Sequence, residues 1–169
     1  MSVSVIGGAD GPTSILLRRT TGLRWINIFG LLIVIVMLLP NIIYAVKFRG
    51  MENKCNNKVM NIIEQFGRYA SIFLTIFSID LDKIGFPSPV AFIIYFAGSI
   101  ILLIAYWIIW ILYFKKMSLW KSIALAIIPT AIFLLSGITL RHYLLVISAI
   151  FFGIGYVYVI YQNAKAGRL

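Results

Sequence analysis

Read for hydrophobic and polar positions alone, the chain divides into five apolar stretches separated by short charged segments. The first runs from Trp25 to Val46, flanked by Arg18, Arg19 and Arg24 before it and Lys47 and Arg49 after it. The third, Val90 to Phe114, contains no charge, and the fourth, from about Trp120 to Leu140, carries Pro129 near its middle. The fifth runs from Tyr143 to Tyr161 and is rich in aromatic residues. A hydrocarbon core of about 30 Å needs around 20 helical residues, so each of these four is long enough to span. Only Arg141 and His142 separate the last two, which predicts a tight antiparallel hairpin.

The second stretch is different in kind. Its purely apolar part, Tyr69 to Ile79, has 11 residues, too few to cross. A spanning helix here must begin near Val59 and take Glu64 and Arg68 into the membrane. Its polar residues fall at Asn61, Glu64, Arg68, Ser71, Thr75, Ser78 and Asp82, in alternating steps of three and four. That spacing sets all of them on one helical face, with Ile63, Phe66, Phe73 and Phe77 on the other. Glu64 precedes Arg68 by four residues, the favourable order for an ion pair. An arginine this deep costs about 2.5–3.5 kcal/mol against lipid and must face inward. Three readings remain open: an ion, proton or substrate path centred on Glu64 and Arg68, a polar seam joining helices, or an amphipathic helix lying on the membrane surface.

The expected fold is therefore all-α, an integral membrane bundle of five transmembrane helices, with four plus an interfacial helix as the alternative. The helices are expected at about 25–46, 59–79, 90–114, 120–140 and 143–161. A polar segment precedes them at 1–24 and a basic tail follows at 164–169.

Composition agrees with this and narrows the function classes. Of the 169 residues, 62% are hydrophobic and 12% charged, a balance that a water-soluble domain of this size cannot bury. The net charge of +10 sits in the flanks between apolar runs, so its partner is the lipid headgroup layer, and other membrane proteins, rather than nucleic acid. With five spans the loops divide Lys and Arg five to nine; with four, eight to seven. The positive-inside bias favours five spans and a cytoplasmic C-terminus. Cys55 is the sole cysteine and His142 the sole histidine, so neither a metal site nor a nucleophile–histidine–carboxylate triad has the residues it needs. No catalytic residue, metal site or cofactor is expected. Ala149 and Gly153 have the spacing of close helix contact, Asn41 beside Pro40 reads as a cap or a hinge, and His142 as an exposed loop residue.

Two resemblances add to this. Residues 4–15 read SVIGGADGPTSI, and GGADGPT from Gly7 to Thr13 resembles a segment of the β-subunits of sodium-translocating decarboxylases of the oxaloacetate and glutaconyl-CoA type. The resemblance implies a membrane sodium pump driven by decarboxylation of a biotin-bound carboxyl group, with sodium held at Asp10. Gly7, Gly8 and Gly11 would free backbone carbonyls as ligands and Asp10 would supply an anionic oxygen. The runs LPNIIYA, ENKCNNK and SGITLRHYLL resemble small multi-pass membrane proteins of anaerobic Gram-positive bacteria, which implies the bacterial cytoplasmic membrane. The expectation is an accessory, interaction or transport-related membrane protein, with a sodium-translocating decarboxylase component as the alternative.

Overall fold

The helices begin where a polar side chain can cap them. In a computed structural model, which describes residues 26–47, 57–77 and 88–165, they are α1 (Ile28–Lys47), α2 (Lys58–Ile76), α3 (Pro89–Lys115), α4 (Leu119–Thr139) and α5 (Tyr143–Lys165). Asn27 Oδ1 accepts from the Gly30 amide at 3.1 Å, Asn57 Oδ1 from Met60 at 3.3 Å, and Ser88 Oγ from Ala91 at 3.2 Å. These are the N-cap bonds that satisfy otherwise orphaned amides. Pro89 follows Ser88 at the first helical position, where its missing N–H costs nothing. At the far end of α3, Lys121 Nζ donates to the carbonyls of Leu112 (2.9 Å) and Lys116 (2.8 Å), placing a cation on the negative pole of the helix.

The α4–α5 hairpin turns within two residues, as the sequence predicts. Arg141 adopts a left-handed conformation, φ 54°. The His142 amide reaches back to Gly137 O at 2.7 Å and the Arg141 amide to Ile138 O at 3.2 Å, the bonding pattern of a Schellman C-cap. His142 then turns to cap the next helix, its Nδ1 accepting from the Leu145 amide at 3.2 Å. The imidazole is thus a half-buried structural cap rather than an exposed loop side chain.

The fold is all-α, and helices α1, α3, α4 and α5 are long and apolar enough to cross a membrane. The chain is a helical membrane protein. Its surface agrees: exposed Leu, Ile, Val and Phe side chains run along every helix, among them Leu32, Phe66, Ile101, Ile127 and Ile154.

Helix α2 is not apolar enough to be recognised by composition, yet it is a full member of the bundle. It runs antiparallel to α5, with Asn57 Nδ2 reaching Tyr158, Glu64 backed by Gly155, Gly67 by Phe152, and Ser71 Oγ 3.1 Å from Ser148 Oγ. The residue numbers of the last three pairs share one sum, so the two helices keep register over the whole contact. A helix lying in the interface plane would cross α5 at a steep angle instead. Where α5 spans, α2 spans beside it: its 19 residues rise about 28 Å. Val59, Ile62, Phe66, Tyr69 and Phe73 cover its exposed face.

The closeness of α2 and α5 depends on two glycines. A Cβ at Gly67 would lie 2.6 Å from the Phe152 amide nitrogen, and one at Gly155 would lie 2.8 Å from that of Glu64. The small-residue spacing of Ala149 and Gly153 also falls at close packing: Ala149 is fully buried, and a Cβ at Gly153 would lie 2.7 Å from Thr130 Cγ2 of α4.

Helix α2 also ends earlier than 79. Phe77 is extended and bridges Ile26, while the Asn27 amide donates to Ile76 O at 2.8 Å, so the end of α2 is tied to the start of α1. At the other terminus α5 runs on through Lys165, into what the sequence suggests is tail. Helix α1 leans on α3 along its length, through Phe29 with Phe92 and Phe96 at one end and Tyr44 with Trp110 and Tyr113 at the other. It meets α2 at Gly30, close against Thr75. The row α3–α4–α5–α2 is thereby closed into a ring by α1.

Candidate functional site

The up-down course of the helices brings Lys47, Lys58, Lys115, Lys116, Lys121 and Lys165 to one end of the bundle. Among the described residues, Arg141 is the sole Lys or Arg at the opposite end. The two ends also differ in how they are filled. Toward the Arg141 end the interior is dense: Val34, Tyr95, Ile132, Phe133 and Leu145 are fully buried, and Phe133 meets Phe152 edge-on at 5.9 Å.

Toward the lysine end the ring encloses a cavity of about 390 Å³, to which every helix contributes. Asn41, Tyr44 and Ala45 come from α1, Glu64 and Arg68 from α2, and Trp110 and Tyr113 from α3. Ser122 and Leu125 come from α4, and Tyr156, Val159, Ile160 and Asn163 from α5. Counting from Lys58 at 1.5 Å per residue, Glu64 lies about 9 Å and Arg68 about 15 Å along α2, so the floor of the cavity is near the middle of the bundle.

Glu64 and Arg68 occupy that floor as an ion pair, Arg68 Nη2 to Glu64 Oε1. Glu64 is 7% exposed, whereas the Arg68 side chain is 41% exposed. The guanidinium also lies over two rings of α5, its Cζ 5.0 Å from the centre of Tyr156 and 5.9 Å from that of Phe152. Gly67 makes this possible by letting α5 approach between the two charged residues. Glu64 is the only acid among the described residues. An isolated buried charge is costly, and the pair plus the ring faces is how this chain keeps two charges within an apolar bundle.

The rest of the wall is aromatic and rich in hydrogen-bond donors. Tyr44 packs on Trp110 (5.4 Å) and Tyr113 (5.9 Å). Trp110, 4% exposed, has an indole N–H with no acceptor among the described residues. Asn41 donates from Nδ2 to Met37 O (3.1 Å) and to the Tyr106 hydroxyl (2.8 Å). It lies inside α1, which continues past Pro40, so it is neither a cap nor a helix end. Proline offers no amide to the carbonyl four residues earlier, and the Asn41 amide strengthens the bonding of the adjacent turn.

The polar stripe of α2 thus serves two purposes. Its lower part is a seam: Ser71 and Thr75 are fully buried, Ser71 meets Ser148, and Thr75 Oγ1 donates to Ser71 O at 2.7 Å. Its upper part, Glu64 and Arg68, is cavity wall. Ser78 and Asp82 of the stripe lie outside the described residues, as do Asp10 and the whole GGADGPT segment. No group of three or more His, Cys, Asp and Glu side chains suited to a metal ion occurs among the described residues.

Sequence reasoning finds the ion pair and misses the aromatic and amide wall. Tyr44, Trp110, Tyr113, Tyr156 and Asn163 look like ordinary interfacial residues near helix ends. The available signal is that all of them lie in the lysine-side halves of their helices, as Glu64 does. Comparison with family models, with curated proteins and with solved structures finds no match for this chain.

Proposed function

We propose that the protein is a transport-related membrane protein that receives a small polar ligand in the cavity at its lysine end, and that this end faces the cytoplasm. The observation that carries the reading is the Glu64–Arg68 pair on the floor of a cavity lined from all five helices. Intramembrane polar groups that serve only to join helices are enclosed by their neighbours, as Ser71 and Thr75 are here. Arg68 instead keeps much of its side chain accessible, at a depth where contact with lipid would be costly. The six lysines at this end of the bundle supply the orientation, because the cytoplasmic ends of membrane helices collect Lys and Arg. The dense opposite end makes the site accessible from one side in this conformation.

Thiol labelling tests this directly. In a Cys55→Ser background, Ala45→Cys and Asn163→Cys place thiols in the cavity, and Ile62→Cys and Ile108→Cys place them on the outer apolar face. A membrane-impermeant thiol reagent should modify the two cavity positions in inside-out vesicles and leave the outer two unmodified. Cavity thiols as inert as the outer pair would refute a water-filled site.

A further inference from the structure

We infer that the ligand of this cavity is an anion, a carboxylate or phosphate group carried on an apolar or aromatic body, and that Arg68 is the residue that binds it. The inference rests on the water-filled cavity proposed above and adds the charge of its occupant.

Three features of the site point to an anion. The first is the inventory of unused donors. A guanidinium carries five N–H groups in a planar fork suited to carboxylate and phosphate, and one of them is engaged, at Glu64. The second feature is the field at the mouth. Lys47, Lys58, Lys115, Lys116, Lys121 and Lys165 all stand at this end of the bundle, and among the described residues Glu64 is the only acid that opposes them. A low-dielectric cleft rimmed by one sign of charge concentrates ions of the other sign. The third feature is the shape and lining of the space beyond the guanidinium. Tyr44, Trp110, Tyr113 and Tyr156 form its aromatic wall, which suits a flat or apolar body and offers little to a hydrated inorganic ion alone.

Glu64 then has a definite part. In the empty site it neutralises Arg68 and, with the Phe152 and Tyr156 rings, holds the guanidinium in place. An arriving anion shares the unused face of the guanidinium and forms the second half of a bridged arrangement, anion–Arg68–Glu64. Glu64 is therefore a positioning residue, and its charge lowers affinity while fixing geometry. Arg68 is the group that touches ligand.

The cavity cysteines read this charge preference without a known ligand. Modification rates are measured at Ala45→Cys and Asn163→Cys with three thiosulfonates of similar size, one anionic, one neutral and one cationic, each normalised to its rate with a free small thiol. The anionic reagent should react about tenfold faster than the cationic one. Arg68→Gln removes the cation in the cavity wall and should shrink that preference at least threefold, while Glu64→Gln should widen it. The neutral reagent reports whether the site itself survives each substitution, and its rate should change less than about threefold. A cationic preference in the unsubstituted protein, or an anionic preference undiminished by Arg68→Gln, overturns the inference while leaving the cavity intact. Inertness to all three reagents instead removes the cavity reading itself.

Protection then identifies the source of the anion. Phenyl phosphate added to protein in phosphatidylcholine vesicles should slow the neutral reagent if the ligand is soluble. Phosphatidylglycerol in the vesicles should slow it if the ligand is a lipid headgroup entering from the membrane. Either result supports an anion site and names its supply; protection by neither overturns it.

Discussion

Replacing Glu64 by Gln removes the acid paired with Arg68, and the size of the penalty reports how much water reaches the pair. Two unit charges at about 4 Å interact by roughly 20 kcal/mol at the dry-interior limit, about 4 at an effective dielectric of 20, and about 1 in bulk water. Breaking a fully buried pair costs about 3–5 kcal/mol, because the surviving charge is left uncompensated. Glu64 is buried and Arg68 has 41% of its side chain accessible, so the pair is neither dry nor bathed in water. The ring faces of Tyr156 and Phe152 also remain to hold Arg68 when the carboxylate is gone. A coupling of about 1–3 kcal/mol follows.

The assay is a double-mutant cycle of Glu64→Gln, Arg68→Gln and the pair, on reversible unfolding free energies in bicelles. The cycle is needed because each single substitution also alters packing against α5. The single changes should each destabilise by about 2 kcal/mol or more and the double change by less than their sum. Coupling above about 4 kcal/mol would mean that the pair is sealed from water, which sinks the open cavity. Coupling indistinguishable from zero would mean that the ion pair does not form.

Four further outcomes are expected. Gly67→Ala places a Cβ where the Phe152 backbone stands and should destabilise by about 1–3 kcal/mol, with Gly155→Ala similar; thermal unfolding in detergent measures both. The same change at Gly98 meets only the end of the flexible Leu135 side chain and should cost less, which makes it the internal control. Arg141→Gly relieves a side chain held at positive φ and should stabilise the α4–α5 hairpin by about 1 kcal/mol; a loss of stability would show that the Arg141 side chain contributes more than its backbone strain removes. Tyr106→Phe deletes the acceptor of the Asn41 amide and should cost about 0.5–1.5 kcal/mol by the same unfolding assay, since the second Asn41 bond, to Met37 O, remains.

The helices were legible in the sequence because lipid imposes a simple condition: uncharged runs of spanning length bounded by cations. That condition finds α1, α3, α4 and α5 within a few residues at either end. Helix α2 was legible only from its period, the three–four spacing of Asn61 through Thr75, because its apolar run alone is too short. Hydropathy averages over a helix's circumference and loses a segment with one apolar and one polar face. The α2–α5 register was not legible. It rests on Gly67 and Gly155, far apart along the chain, and nothing in a single sequence marks which distant glycines meet. The helix ends drifted for local reasons, as at Phe77, where an extended residue pairs with Ile26 and stops α2 before the apolar pattern does.

The division of the polar stripe explains why the cavity lies where it does. Near the Arg141 end, α1 is drawn against α2: Asn27 bonds Ile76, and Gly30 lets Thr75 come close. Near the lysine end, Tyr44 packs against Trp110 and Tyr113 with its ring tilted to both, which ties α1 to α3. Asn41 adds a hydrogen bond to Tyr106 on that same helix. A helix fastened to one neighbour at its start and to another along its remainder must diverge from the first. The two helices line the cavity with Asn41 and Ala45 on one side and Glu64 and Arg68 on the other, where the stripe changes from small hydroxyls to charges. Hydroxyls can satisfy themselves on their own helix, as Thr75 does at Ser71 O, and so tolerate a closed seam. An ion pair with an accessible guanidinium cannot, and the same divergence gives it the space it needs.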